Sequence, residues 1–260
     1  MGYSKERLPI MINSVLDVRG LTKKYGGITA TDDIFFNISG NEISAIIGPN
    51  GAGKTTLIGQ LTGEIKPDKG SIYFKGEEIT NLASHKRSHI GISRSFQITS
   101  IFLDLTVLEN AALAVQAHTG HSFHFLKPAK KEFSIVNSAI NLLERVGLKN
   151  RAHLPAKNIS HGEHRQLEIA MALASNPTLL LLDEPMAGMG PKETRKITQL
   201  LESIKGTMSI ILIEHDMDTV FALADKLTVL VTGKVIASGI PEIVRELPEV
   251  RRAYLGEKAN

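Results

Sequence analysis

The sequence predicts an α/β fold in which a mostly parallel, right-handed sheet carries helices on its faces. Apolar runs of strand length at 43–47, 178–182 and 209–213 alternate with stretches of helical pattern. Only 5% of the residues are aromatic whereas 42% are apolar, so Leu, Ile, Val and Ala must build most of the core. Such a core is typical of proteins in which helices pack on a sheet.

Turn and helix signals place the elements in order along the chain. The apolar run at 43–47 leads through a Gly-rich loop into a helix at 54–61, and the region from about 106 to 174 has a mostly helical pattern. We expect this region to form a helical subdomain. The other predicted elements are strands near 15–21 and 34–38 with a turn at 25–27, a final hairpin of 227–231 and 235–237, and short helices after it.

Composition excludes several classes of protein. The chain has no Cys, which excludes disulfides, Cys zinc sites and thiol catalysis. Its net charge of +3 is too small to indicate nucleic acid binding from charge alone. The N-terminal segment lacks the features of a signal peptide, and no apolar run reaches the roughly 18 to 20 residues of a membrane span. We therefore expect a soluble or peripheral protein.

The Gly-rich loop between the third strand and its helix has the pattern of a phosphate-binding loop. Its backbone N–H groups and the helix N-terminus suit a phosphate, Lys54 reaches the β and γ phosphates, and Thr55 suits magnesium. The alternative, an ordinary strand–helix turn, leaves Lys54 and Thr55 unexplained. The predicted nucleotide-binding residues of this loop are Gly48, Pro49, Asn50, Gly51, Ala52, Gly53, Lys54, Thr55 and Thr56.

A second candidate site ends the apolar strand at 178–182. Asp183 and Glu184 are adjacent, and adjacent residues on a strand point to opposite sides, so we expect two different roles. Asp183 suits the magnesium shell, and Glu184 suits the polarisation of an attacking water. The alternative is a pair of acids that caps a strand–helix junction.

The segment around Ser160 predicts the start of a helix at about residue 161. Ser160 and Glu163 have the spacing of a capping box, and a helix N-terminus with a hydroxyl at its cap suits an anion. We expect the Glu163 carboxylate to bond to the backbone near Ser160 and so to stay away from that anion.

Taken together, these motifs resemble the ATP-binding subunit of an ABC transporter, over essentially the whole chain as a single domain spanning 1–260. The resemblance implies that Tyr25 stacks on adenine, that His215 is the switch histidine, and that Gln97 joins the nucleotide site to the helical subdomain. It also implies an antiparallel β subdomain. The implied catalytic residues are Glu184, His215 and Gln97, and the implied magnesium ligands are Thr55, Gln97 and Asp183.

The same resemblance places Ser160, Gly162 and Glu163 in the signature segment, which binds the γ-phosphate of ATP held by a partner chain. Two chains would then sandwich two nucleotides. The sequence departs from the usual pattern because His161 and Glu163 replace a Gly and a Gln, and because Gly190 stands where many relatives have an acidic or amide residue. Taken singly, Tyr25 could be a turn aromatic, Gln97 a solvated strand end and His215 a capping residue.

Further stretches, such as residues 93–97, 105–110 and 254–256, resemble the ATPase subunits of bacterial branched-chain amino acid importers. This likeness implies ATP and Mg²⁺ as ligands, permease subunits and a second ATPase subunit as partners, and the cytoplasmic face of the inner membrane as location. It implies only an indirect link to a solute-binding protein and no nucleic acid partner. The alternatives are an ATPase for urea or amide import or lipopolysaccharide export, and a soluble ABC ATPase that acts on nucleic acid.

Four weaker observations remain. An Asn-Lys-x-Asp guanine-reading element is missing, which disfavours a phosphate-loop GTPase. His118, His121 and His124 recur every third residue, but the nearby Gly120 favours a loop over a metal site. Residues 101–103 are apolar beside Gln97 and predict either core or a groove for the permease. The basic run 127–131 predicts a solvated entrance to a helix, and the alternative is a contact with acidic lipid headgroups.

Overall fold

The computed structural model describes residues 14–95, 101–118 and 129–255. The described strands are β1 (Ser14–Tyr25), β2 (Ile28–Ser39), β3 (Ile43–Ile47), β4 (Lys69–Phe74), β5 (Glu77–Glu78), β6 (Ile92–Arg94), β7 (Leu179–Asp183), β8 (Ser209–Ile213), β9 (Lys226–Val231) and β10 (Lys234–Gly239). The described α-helices are α1 (Lys54–Thr62), α2 (Ser84–His89), α3 (Val107–His118), α4 (Ala129–Arg145), α5 (His161–Leu173), α6 (Pro191–Ile204), α7 (Met217–Leu223), α8 (Pro241–Val244) and α9 (Pro248–Leu255).

The central sheet confirms the predicted α/β fold. Its order is β10-β9-β3-β8-β7-β6, and every pairing is parallel except that of the final hairpin, β9 with β10. Every residue of β3, β7 and β8 is buried, as expected for strands that helices cover on both faces. Because β3, β7 and β8 are parallel, the segments that follow them emerge at one edge of the sheet.

The two faces of this sheet belong to different cores, as the alternation along β7 shows. Leu180 and Leu182 pack with helices α3, α4, α5 and α6, whereas Leu179 and Leu181 pack with α1 and the second sheet. The amphipathic spacing predicted in α4 is borne out, since Ala139, Leu142, Leu143 and Val146 are all buried in the first of these cores. The bounds of a separate helical subdomain stay a prediction.

The second sheet is antiparallel, with the order β2-β1-β4-β5. Its first hairpin, β1 with β2, was expected from the turn at residues 25–27, whereas β4, β5 and β6 were not predicted. Strands β5 and β6 have two and three residues, too few for an apolar period to stand out. Within the described residues, no helix is long and apolar enough to cross a bilayer.

Candidate functional site

The phosphate loop lies between β3 and α1, where the sequence places it. Lys54 is the first residue of α1, and its ammonium donates to the carbonyl oxygens of Gly48 at 2.6 Å and Pro49 at 3.2 Å. The Lys54 side chain is therefore held inside the loop, with the residue 8% exposed. A fixed cation beside a helix N-terminus is an arrangement that binds a phosphate group.

Neighbouring strands leave room only for glycine at two positions of the loop. A Cβ at Gly48 would lie 2.2 Å from the carbonyl oxygen of Leu230 in β9. A Cβ at Gly53, whose φ is +103°, would lie 2.1 Å from the carbonyl oxygen of Ala30 in β2. The loop is thus clamped between the central sheet and the antiparallel sheet, so its shape depends on both.

Asp183 ends β7 as a buried acid, 3% exposed, with a basic partner. Its Oδ2 accepts a hydrogen bond from Arg94 Nη2 at 3.0 Å, and Arg94 Nη1 also donates to Glu64 Oε2 at 2.7 Å. Burial raises the pKa of Asp183, and the Arg94 guanidinium opposes that rise. The Asp183 carboxylate therefore offers an oxygen ligand that suits a hard cation, and the bond from Arg94 fixes its orientation.

The structure corrects the reason given for the different roles of Asp183 and Glu184. Strand β7 ends at Asp183, and Glu184 has a φ of +46°, so the alternation of side chains along a strand does not extend to it. The Glu184 N–H still donates to the carbonyl of Ile213 at 2.9 Å, and its own carbonyl accepts from Arg165 Nη2 at 3.2 Å. A left-handed turn, held by β8 and by α5, directs the Glu184 side chain.

His215 follows β8 and lies beside Glu184. Its Nδ1 is 4.0 Å from Glu184 Oε1, and its side chain is 63% exposed. Glu214, the residue before His215, is a buried acid that was not predicted from the sequence. The Glu214 carboxylate accepts from the N–H of Met186 at 2.9 Å and from that of His215 at 3.2 Å, while burial raises its pKa. An acid placed directly after the apolar strand β8 was the available signal.

The signature segment confirms the predicted capping box. Helix α5 begins at His161, Ser160 Oγ accepts from the Glu163 N–H, and Glu163 Oε2 accepts from the Ser160 N–H at 2.9 Å. Arg151 Nε adds a bond of 2.9 Å to Glu163 Oε1. Partial burial raises the Glu163 pKa, but the bonds from Ser160 and Arg151 outweigh it and lower the pKa. Glu163 is thus held at the helix cap.

The remaining predicted residues are placed as follows. Tyr25 ends β1 with an exposed ring, and Lys23 Nζ lies 5.6 Å from the centre of that ring. Thr55 is exposed and Thr56 half-buried in the first turn of α1. Gln97 lies outside the described residues, as do His121, His124 and residues 127–128. Among the described residues no group of His, Cys, Asp or Glu could hold a metal as a cluster, and His118, which ends α3, instead packs against His89.

Comparisons with known proteins agree with this geometry. Residues 31–187 match the family described as ABC transporter. The chain is 37% identical over 254 residues to the high-affinity branched-chain amino acid transport ATP-binding protein LivG of Escherichia coli K12, covering 95% of this chain and all of that one. It is 32% identical over 246 residues to the lipopolysaccharide export system ATP-binding protein LptB of Haemophilus influenzae, covering 94% and 98%.

Solved structures lead to the same family. The ADP conformation of an ATP-binding cassette of an ABC transporter superposes with a TM-score of 0.83 at 31% identity, covering 94% of this chain and 99% of that one. This chain thus resembles such cassettes along nearly its whole length. It has the clamped phosphate loop, the two acids at the end of β7 and the capped signature helix. The chain belongs to the ABC transporter family.

Proposed function

We propose that this chain is the ATP-hydrolysing motor subunit of a membrane ABC importer for branched-chain or other hydrophobic amino acids. One observation carries the hydrolytic part. Glu184 lies 4.0 Å from His215 at the sheet edge that also carries the Lys54 loop. Glu214 accepts one hydrogen bond from the turn that carries Glu184 and another from the backbone N–H of His215. The likeness to LivG supports the choice of solute.

Each side chain has a role that its position suits. Lys54 binds the β and γ phosphates from inside the loop and offsets their charge. Glu184 accepts a hydrogen bond from the attacking water and so polarises it, while His215 contacts the γ-phosphate. Tyr25, exposed at the end of β1, stacks on the adenine ring.

The donors at this edge fit Mg²⁺. The Thr55 hydroxyl and the Asp183 carboxylate are oxygen ligands, which Mg²⁺ prefers, and Arg94 bonds to Oδ2 of Asp183. Gln97 is the third ligand that we assign. When bound, the ion neutralises charge on the phosphates. Arg94 and Glu64 hold Asp183 in place for this contact.

The capped start of α5 suits a phosphate supplied by a second chain. Ser160 Oγ and the Gly162 N–H are donors at a helix N-terminus, so a partner's γ-phosphate can bind there. Glu163 assists by closing the capping box rather than by touching the phosphate. The second chain is another copy or a similar ATPase subunit.

Residues 101–103 support a permease contact. Ile101 is core at 7% exposed, whereas Phe102 and Leu103 are 58% and 48% exposed. An apolar segment that follows the nucleotide-linked Gln97 can pass movement to permease subunits at the cytoplasmic face of the inner membrane.

Hydrolysis and transport test this proposal in turn. Purified protein with Mg²⁺ should hydrolyse ATP, and Lys54→Ala should lose nucleotide binding. Glu184→Gln should still bind nucleotide, but its turnover should be slower by about a hundredfold or more. Lys66→Ala, an exposed lysine after α1, serves as the control and should match the wild type. Full turnover in Glu184→Gln would contradict the assignment of Glu184.

The transported solute distinguishes the importer from its alternatives. Co-expression with the cognate permease should give ATP-dependent uptake of labelled leucine, abolished by Glu184→Gln. Urea or amide uptake, or lipopolysaccharide export as for LptB, would move the chain to another ABC system without affecting the ATPase assignment.

A further inference from the structure

A second carboxylate, on another helix, lies over the start of the signature helix. Glu193 is in the first turn of α6. Its Oε1 accepts a hydrogen bond from Ser160 Oγ at 3.3 Å and another from the Gly162 N–H at 3.2 Å. One oxygen of Glu193 therefore engages both the capping hydroxyl and a free N–H of the first turn of α5.

The absence of a side chain at residue 162 permits this approach. A Cβ on Gly162 would lie 2.8 Å from Glu193 Oε1 and 3.0 Å from Glu193 Cδ. The carboxylate thus lies against the backbone of α5, where the unpaired N–H groups of the first turn favour an anion.

The two acids of this region have different positions. Glu163 is tied to the Ser160 N–H and to Arg151, on the cap side. Glu193 instead occupies the two donors, Ser160 Oγ and the Gly162 N–H, that the proposed ATP sandwich offers to the partner's γ-phosphate. A phosphate oxygen and the Glu193 oxygen need the same donors and carry the same sign of charge, so they exclude each other.

We propose that the Glu193 carboxylate is an intramolecular competitor of the γ-phosphate, which holds the signature donors in place until nucleotide on the second chain displaces it. This inference rests on the proposed ATP sandwich. Only the fraction of chains in which Glu193 has moved away can accept the phosphate, so the contact raises the ATP concentration needed for dimerisation.

The test compares dimerisation in the slow Glu184→Gln background by sedimentation over a range of ATP concentrations. Glu193→Ala should lower the ATP concentration at half dimerisation by about three- to tenfold, the range expected for the loss of one ordinary hydrogen-bonded contact. Glu193→Asp should do the same although it keeps the charge, because a side chain shorter by one methylene cannot span the contact. Glu202→Ala, which removes an exposed acid from the same helix, should leave the midpoint unchanged.

Four results would overturn the competition. The first is unchanged dimerisation in Glu193→Ala. The second is weaker dimerisation in Glu193→Ala, which would mean that Glu193 only supports the signature segment. An equal shift in Glu202→Ala would show a general charge effect. Wild-type behaviour in Glu193→Asp would show that charge rather than contact matters.

Two measurements distinguish a failure of this inference from a failure of the proposed function. They are the dimerisation of the Glu184→Gln parent and hydrogen exchange in the absence of nucleotide. If the Glu184→Gln parent stays monomeric at saturating ATP, the sandwich of two copies fails, and the competition fails with it. Hydrogen exchange of the Gly162 N–H in the nucleotide-free monomer reports on the contact itself. Exchange should be faster in Glu193→Ala, and equal rates would overturn the contact.

Discussion

Glu214 accepts a hydrogen bond at 2.9 Å from the backbone N–H of Met186, two residues beyond Glu184. The same carboxylate accepts from the N–H of His215 at 3.2 Å and is buried, with the residue 1% exposed. One buried acid therefore joins the turn that carries Glu184 to the segment that carries His215. Burial raises the pKa of Glu214, while the two backbone bonds oppose that rise.

Removing this bond should slow hydrolysis without loss of nucleotide binding. In Glu214→Ala the turn after β7 loses one of the bonds that hold it, so Glu184 shifts relative to the phosphate, and kcat should fall roughly tenfold to a hundredfold. The nucleotide Kd should stay close to the wild-type value because Lys54 and its loop are untouched. Measurement of kcat and of nucleotide Kd separates the two effects.

Glu214→Gln is the matched variant because its amide oxygen can still accept from Met186. It should recover most of the lost kcat. Equal kcat values for the Gln and Ala variants, or a wild-type kcat in Glu214→Ala, would show that Glu214 does not position Glu184.

The capping box of α5 should make stability depend on acid pH. The bonds from Ser160 and Arg151 lower the folded-state pKa of Glu163 below its ordinary 4.5. The folded chain thus binds fewer protons than the unfolded chain in this range, so Glu163 stabilises the fold above pH 4.5 and this stabilisation is lost as pH falls through the folded pKa. The cap should contribute about 1 kcal/mol near neutral pH.

Urea unfolding of wild type and Glu163→Ala measures this dependence. The difference in free energy of unfolding should be largest near neutral pH and should shrink below pH 4.5. A difference that is constant with pH would mean that the Glu163 charge takes no part in the cap.

Arg87 should be a stability determinant of helix α1. It is fully buried, and its Nη1 donates to the carbonyls of Gln60 at 2.8 Å and Leu61 at 2.7 Å, in the last turn of α1. Burial lowers its pKa to about 10, which leaves the guanidinium charged at neutral pH. Arg87→Met removes the Arg87 donor from both carbonyls, and Gln60 keeps only the bond from the Gly63 N–H at 3.3 Å, so the free energy of unfolding should fall by about 3 kcal/mol.

Denaturant unfolding checks this value, with Lys86→Met as the control. Lys86 precedes Arg87 on α2 and is exposed, so its loss should change stability by less than about 0.5 kcal/mol. Equal stability of the two variants would contradict the role given to Arg87.

Phe102 should couple the ATPase to the permease. Because its side chain is 58% exposed, Phe102→Glu should fold normally, keep ATP hydrolysis by the isolated subunit and lose most transport in the assembled complex. Phe133→Glu, at an equally apolar side chain that is 69% exposed on α4, should leave transport unchanged.

Uptake by the reconstituted complex and thermal unfolding measure the two effects. Ile101→Glu places a charge in the core and should destabilise the fold, which distinguishes core from contact surface. Unfolding of Phe102→Glu, or loss of transport in Phe133→Glu as well, would contradict a specific contact at Phe102.

Features that depend on neighbours in the chain could be predicted from the sequence. The position of the phosphate loop follows from its own residues, but its shape also depends on Leu230 and Ala30 of the neighbouring strands. The turn at residues 25–27, the final hairpin and the capping box of Ser160 with Glu163 each use groups only a few residues apart. Their geometry follows from glycine, hydroxyl and carboxylate positions and from the apolar period of the flanking elements. The α/β fold class followed from the alternation of strand-length and helical patterns.

Contacts between polar groups far apart in the chain depend on how the helices and strands pack together. Arg94 bonds to Asp183 across 89 residues of chain, and Glu193 reaches Ser160 across 33. The left-handed turn at Glu184 likewise follows from its bonds to β8 and Arg165, not from a local signal. A carboxylate or guanidinium has the same sequence signature on a solvated surface and in a buried bond, because its partner is chosen by the packing of helices and strands.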